Sequence, residues 1–114
     1  MNELAKKLEG LWVVKFGAGS VVGTGVVVLL RGLLLGGDDG YYYKGSYEVD
    51  ERKIKGVVDI IRYDPCSVSV LGDRDSFRLE LKGELGDNEI EWLGLLRDAN
   101  GDEIQVYALK KVDL

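Results

Sequence analysis

Residues 76–85 read Ser-Phe-Arg-Leu-Glu-Leu-Lys-Gly-Glu-Leu. Phe77, Leu79, Leu81 and Leu85 share one side of an extended chain, with Gly83 between the last two; Ser76, Arg78, Glu80, Lys82 and Glu84 share the other. A period of two sends one face to a core and the other to water, the signature of a half-buried β-strand. The same period recurs along the chain and predicts strands at 11–16, 21–30, 33–36, 41–49, 53–63, 76–85, 88–96 and 103–111, with a short extra strand at 67–70. The separators are turn-like: Gly17-Ala18-Gly19-Ser20, Arg31-Gly32, Gly36-Gly37-Asp38-Asp39-Gly40, Asp50-Glu51-Arg52, Asp64-Pro65, Gly86-Asp87 and Asn100-Gly101. Asn100-Gly101 is the strongest hairpin signal of the set. Separators this short make neighbours antiparallel, because a parallel crossover needs a dozen or more residues.

The expected fold is therefore all-β: a small eight-stranded antiparallel up-and-down barrel in one domain spanning 1–114. Closure removes sheet edges, and glycine, 16 of 114 residues against the ~7% that is usual, lets strands bend at barrel corners. A short helix is expected at 2–9, where Leu4 and Leu8 are four apart and Gly10 stops it. Trp12 follows directly and is placed to close one end of the barrel. The expected inner set includes Trp12, Val14 and Phe16; Tyr41, Tyr43, Gly45, Tyr47 and Val49; Ile54, Val58 and Ile60; Ile90, Trp92 and Leu96; and Ile104, Val106 and Ala108.

The alternation also leaves apolar residues outside: Leu11, Val13, Val57, Ile61, Leu93, Leu95, Tyr107 and Leu109. Part of the outer surface is then expected to be covered, a little by the helix and the rest by a protein partner or a second copy. Leu93, Leu95, Tyr107 and Leu109, on the last two strands, are the expected self-association surface of a homodimer. The leucine-rich runs 29–35 and 92–96 fit a natural oligomer interface, with one engineered onto a natural barrel as the alternative.

Composition narrows the chemistry. The formal net charge is −5, which disfavours a phosphate backbone as partner. With no histidine, the Ser-His-Asp and Cys-His systems and most zinc sites are out of reach. The lone Cys66 points to a reducing compartment, has acids and no base beside it, and reads as an incidental loop cysteine. The charged N-terminus lacks the apolar core of a secretory signal. The longest apolar stretch, 26–35, is interrupted by Arg31-Gly32 and falls short of the ~20 residues that a spanning helix needs. The expectation is a cytoplasmic protein with no membrane or nucleic-acid partner, no catalysis, no cofactor and no metal.

Gly17-Ala18-Gly19 and Gly23-Thr24-Gly25 lack the strand–loop–helix context of a phosphate loop. Asp38-Asp39 and Asp73-Arg74-Asp75 lack the spacing of a calcium loop. Tyr41-Tyr42-Tyr43, with Tyr47 and Tyr63, leaves two readings open. One is a ligand cavity of lipocalin type lined by Trp12, Tyr41 and Tyr43. The other is plain core, since an eight-strand barrel is just wide enough for its own side chains.

The stretch Leu34-Leu35-Gly36-Gly37-Asp38-Asp39-Gly40-Tyr41-Tyr42-Tyr43-Lys44-Gly45-Ser46-Tyr47-Glu48-Val49-Asp50 is similar to the GrlR-like family, small negative regulators of type III secretion. Residues 10–16, 23–29 and 73–83 resemble the same family's first hairpin and a later strand. The resemblance implies a lipocalin-like barrel, usually dimeric, without catalysis. It also implies a mode of action, because the type member sequesters a transcriptional activator through an exposed Glu-Asp-Glu-Asp loop. The matching positions here are Val49, Asp50, Glu51 and Arg52, so Asp50 and Glu51 retain the acidic character and are the implied partner-binding residues. The functional expectation is a barrel that acts by protein–protein contact as such a regulator; a carrier of a small apolar ligand is the alternative.

Overall fold

A computed structural model describes residues 3–96 and 103–114. One helix, α1 (Glu3–Leu8), precedes eight strands: β1 (Gly10–Ala18), β2 (Val21–Leu30), β3 (Leu33–Gly37), β4 (Tyr41–Asp50), β5 (Lys53–Arg62), β6 (Ser76–Leu85), β7 (Glu89–Leu96) and β8 (Glu103–Asp113). Each strand pairs antiparallel with the next, and β8 closes on β1. The barrel is the expected up-and-down one. The Asn100-Gly101 turn lies outside the described residues.

Inward and outward sets follow the two-residue period. Phe77, Leu79, Leu81 and Leu85 are buried, as are Tyr41, Tyr43, Tyr47, Ile54, Val58, Ile90, Trp92, Ile104 and Ala108. Among the described residues no polar or charged residue is buried as a whole, though the Lys110 side chain is almost covered. The two-residue Arg31-Gly32 turn carries positive φ at both positions, 51° and 82°, the twist that a tight hairpin requires. A corner forms at Gly45, where a Cβ would lie 2.0 Å from the carbonyl oxygen of Val57. Only glycine allows two strand backbones to approach that closely.

The helix sits differently from expectation. It does not lie over the outer wall; it anchors at the end where β1 begins and β8 finishes. Leu8 is buried in the core, Trp12 Nε1 donates to the Leu8 carbonyl at 2.9 Å, and Lys110 Nζ donates to the Lys7 carbonyl. The Arg31 N–H donates to the Glu9 carboxylate at 2.8 Å. A helix of six residues leaves orphan carbonyls at its end, and the rim supplies their donors.

Other boundaries move for local reasons. No strand forms at 67–70, where Ser69 and Gly72 make a single isolated bridge. Asp64 draws that segment into a turn, its carboxylate accepting from the Cys66 N–H at 3.0 Å. β5 stops at Arg62; the Tyr63 N–H still donates to the Gly40 carbonyl, 2.9 Å away, in the β4–β5 register, and the chain then enters the Asp64 turn. β7 starts at Glu89, since Asn88 takes φ 56° in the turn. β8 runs on to Asp113 through a register shift opposite Leu11/Trp12, which carries it to Gly10.

Candidate functional site

The two barrel ends differ. Leu8 and Trp12 fill the helix end. The opposite end is formed by the β1–β2 turn, the β3–β4 turn and the long 63–75 connection. Between them the barrel holds a cavity of about 760 Å³, within the roughly 300–1,000 Å³ usual for small-molecule sites. Deep in the barrel its wall is aliphatic and aromatic, with Val58, Phe77, Leu79, Ile90 and Trp92 among the lining residues. Each of β2 to β7 has a glycine at an inward position of its alternation, including Gly25, Gly45, Gly56, Gly83 and Gly94. At Gly45, Gly56 and Gly83 a Cβ would lie 2.0, 2.5 and 2.2 Å from a carbonyl oxygen of the neighbouring strand, so these glycines let the strands approach and bend. Gly23, on β2, lines the cavity itself.

Polar groups gather at the mouth: Asp38, Asp39, Ser67 and Ser69, with Thr24 and the Tyr43 hydroxyl. Asp38 organises this end. One carboxylate oxygen accepts from the N–H groups of Gly40 and Tyr41, at 2.9 and 2.8 Å; the other accepts from the Tyr43 hydroxyl. Gly25 makes room for that hydroxyl, since a Cβ there would lie 2.7 Å from it. Burial, then the hydrogen bond to Asp38, pushes the Tyr43 phenol far above its ordinary range, so it stays a neutral donor.

The 63–75 connection folds across the mouth. Tyr41 Oη donates to the Arg74 carbonyl at 2.7 Å, and Tyr63 Oη donates to the Asp38 carbonyl. The Arg62 guanidinium holds Asp73 and Asp75 at 2.5 Å each and the Ser67 carbonyl at 2.8 Å. The Asp75 carboxylate, and then that of Asp73, raise the Arg62 pKa further. Val70 and Leu71 pack on the core beneath. Val21, Val22 and Val68, 50%, 70% and 65% exposed, stand at the rim, an apolar edge on the way in.

Of the residues expected to line a cavity, Tyr41 and Tyr43 do so and Trp12 does not. Trp12 is committed to the plugged end by its bond to Leu8. Asp50 and Glu51 are exposed at the β4–β5 turn, at the helix end and far from the mouth, with Glu51 at φ 56°. Comparisons against protein-family models and against curated proteins find no match for the chain.

The expected self-association residues divide. Leu93 faces Lys82 and Gln105 across the sheet, Leu95 faces Glu80 and Glu103, and Tyr107 donates to Glu89 at 2.6 Å. These three stand among polar neighbours. Leu109 instead pairs with Val13, which pairs with Val26. Leu11 pairs with Val28 and Val28 with Leu35. The broad outward apolar surface is thus on β8-β1-β2-β3, with Val26, Leu33 and Leu35 47–53% exposed.

Sequence reasoning missed Asp38, Asp39, Ser67 and Val68 as parts of a site. The Gly36-Gly37-Asp38-Asp39-Gly40 turn was visible, but nothing local in it shows that it edges a cavity.

Proposed function

We propose that this protein binds a small, largely apolar molecule inside its barrel. The observation that carries the reading is the cavity of about 760 Å³, walled by aliphatic and aromatic side chains and edged by exposed valines. Burying an apolar guest there recovers about 25 cal/mol per Å² of surface removed from water, with no deep polar group left unpaired. Titration with N-phenyl-1-naphthylamine, a neutral dye that brightens in apolar surroundings, tests it. Saturable enhancement at one dye per chain is expected; no enhancement would refute the reading.

A second reading is favoured by the outer face of β8-β1-β2-β3, where Leu11, Val13, Val26, Val28, Leu35 and Leu109 adjoin. Apolar faces this continuous are covered in most proteins. A second copy of the chain is the occupant that fits, because an apolar patch is complementary to itself under two-fold symmetry. In this reading the barrel is a homodimer that works by protein contact, as the GrlR-like resemblance implies, and Asp50 and Glu51 remain open at the helix end for a regulatory partner.

A further inference from the structure

The polar edge of the cavity has one sign. Its ionisable lining groups are Asp38 and Asp39 and the phenols of Tyr41 and Tyr43, and no lysine or arginine lines it among the described residues. The arginines nearest the 63–75 connection are already engaged. Arg62 is held by Asp73, Asp75 and the Ser67 carbonyl, and Arg74 Nε donates to the Leu71 carbonyl at 3.3 Å. Asp38 has its three backbone and phenol donors; Asp39 is exposed and takes part in no hydrogen bond or ion pair among the described residues. An apolar guest that fills the lumen brings its polar end to this edge, because the deep wall offers that end nothing.

Resting on the cavity reading above, the geometry points to a ligand with an apolar body and a cationic amine head, the ammonium seated at Asp39 and Asp38 with the Tyr43 and Ser67 oxygens as further acceptors. A fatty-acid carboxylate is disfavoured: it would face two carboxylates with no cation to receive it, and like charges at short range repel. A charge-assisted hydrogen bond is the stronger kind, so head-group chemistry, more than chain length, selects the guest.

Three probes of equal chain length separate the possibilities: dodecylamine, dodecanol and dodecanoic acid, each titrated calorimetrically below its aggregation limit at neutral pH. The amine is expected to bind about tenfold or more tightly than the acid, with the alcohol between them. Asp39→Asn is expected to reduce amine affinity several-fold and leave the alcohol unchanged. Glu48→Gln, which removes one exposed charge on the outer wall, is expected to change neither, so general attraction to an acidic protein is separated from the mouth. An acid that binds as well as the amine, or an Asp39→Asn variant that keeps full amine affinity, overturns the inference and leaves the cavity reading standing. If none of the three binds, the cavity reading falls and the inference with it.

Discussion

The Tyr41 hydroxyl, on the first residue of β4, donates at 2.7 Å to the carbonyl of Arg74, just before β6 begins. One phenol thereby ties the barrel wall to the connection that crosses the mouth. Tyr41→Phe keeps the ring against Phe77, whose centroid is 6.3 Å away, and removes only this tie. The variant is expected to lose about 1 kcal/mol of stability and to be cut faster by protease within 63–75. Equal cleavage rates would show that the other contacts of the connection, those of Arg62 and Tyr63 among them, hold it without this tie.

At the other end the contact between Trp12 and Leu8 plugs the barrel. Trp12→Phe leaves the Leu8 carbonyl without its indole donor and is expected to cost about 1–3 kcal/mol. Trp12→Ala adds a cavity and is expected to cost about 3–5 kcal/mol. Urea unfolding gives both values. Dye binding to folded Trp12→Phe is expected to match the parent, because Trp12 is outside the cavity wall.

The two outer faces make opposite predictions for assembly. If a second copy covers β8-β1-β2-β3, Val26→Lys or Leu35→Lys yields a folded monomer by analytical ultracentrifugation. Leu93→Lys, set between Lys82 and Gln105, leaves assembly unchanged. A dimer that survives Val26→Lys and dissociates with Leu93→Lys would move the interface to β7.

On the outer wall Asp59 accepts two bonds from the Arg78 guanidinium, at 2.7 and 3.2 Å. That hydrogen-bonded partner holds the Asp59 pKa below its ordinary value. Its folded pKa is therefore below its unfolded one, about 3.9. The contribution is present above that value and is lost as pH falls through the lower folded pKa. Asp59→Asn is expected to be slightly less stable than the parent at neutral pH, with the gap closing in acid. A gap independent of pH would mean that the pair adds nothing through its charge.

The fold was legible because the period of two is a backbone property that survives irregular packing. Strand 76–85 alone placed Phe77, Leu79, Leu81 and Leu85 correctly, and the short separators dictated the order. The site was less so. Tyr41 and Tyr43 were readable as inward rings, but Asp38 and Asp39 read as turn carboxylates, which Asp38 also is. Their position at the mouth depends on Gly40, whose missing Cβ admits Ser67 from a segment 27 positions along the chain. No local pattern encodes that approach. Trp12 was readable as an end plug and misread as cavity wall for the same reason: alternation tells in from out and does not tell one end of a lumen from the other. Single leucines stand out in sequence on β7 and β8, while cross-strand pairing gathers the larger patch on β8, β1, β2 and β3, where Leu109 joins Val13 and Val26.

The most direct measurement is chemical-shift mapping of the isotopically labelled protein as dodecanol is added. The account predicts saturable shifts at Tyr43, Val58, Phe77 and Trp92, with Val26, Leu33 and Leu35 unmoved. Shifts confined to those outer residues, or no saturable shift at all, would contradict a ligand site inside the barrel.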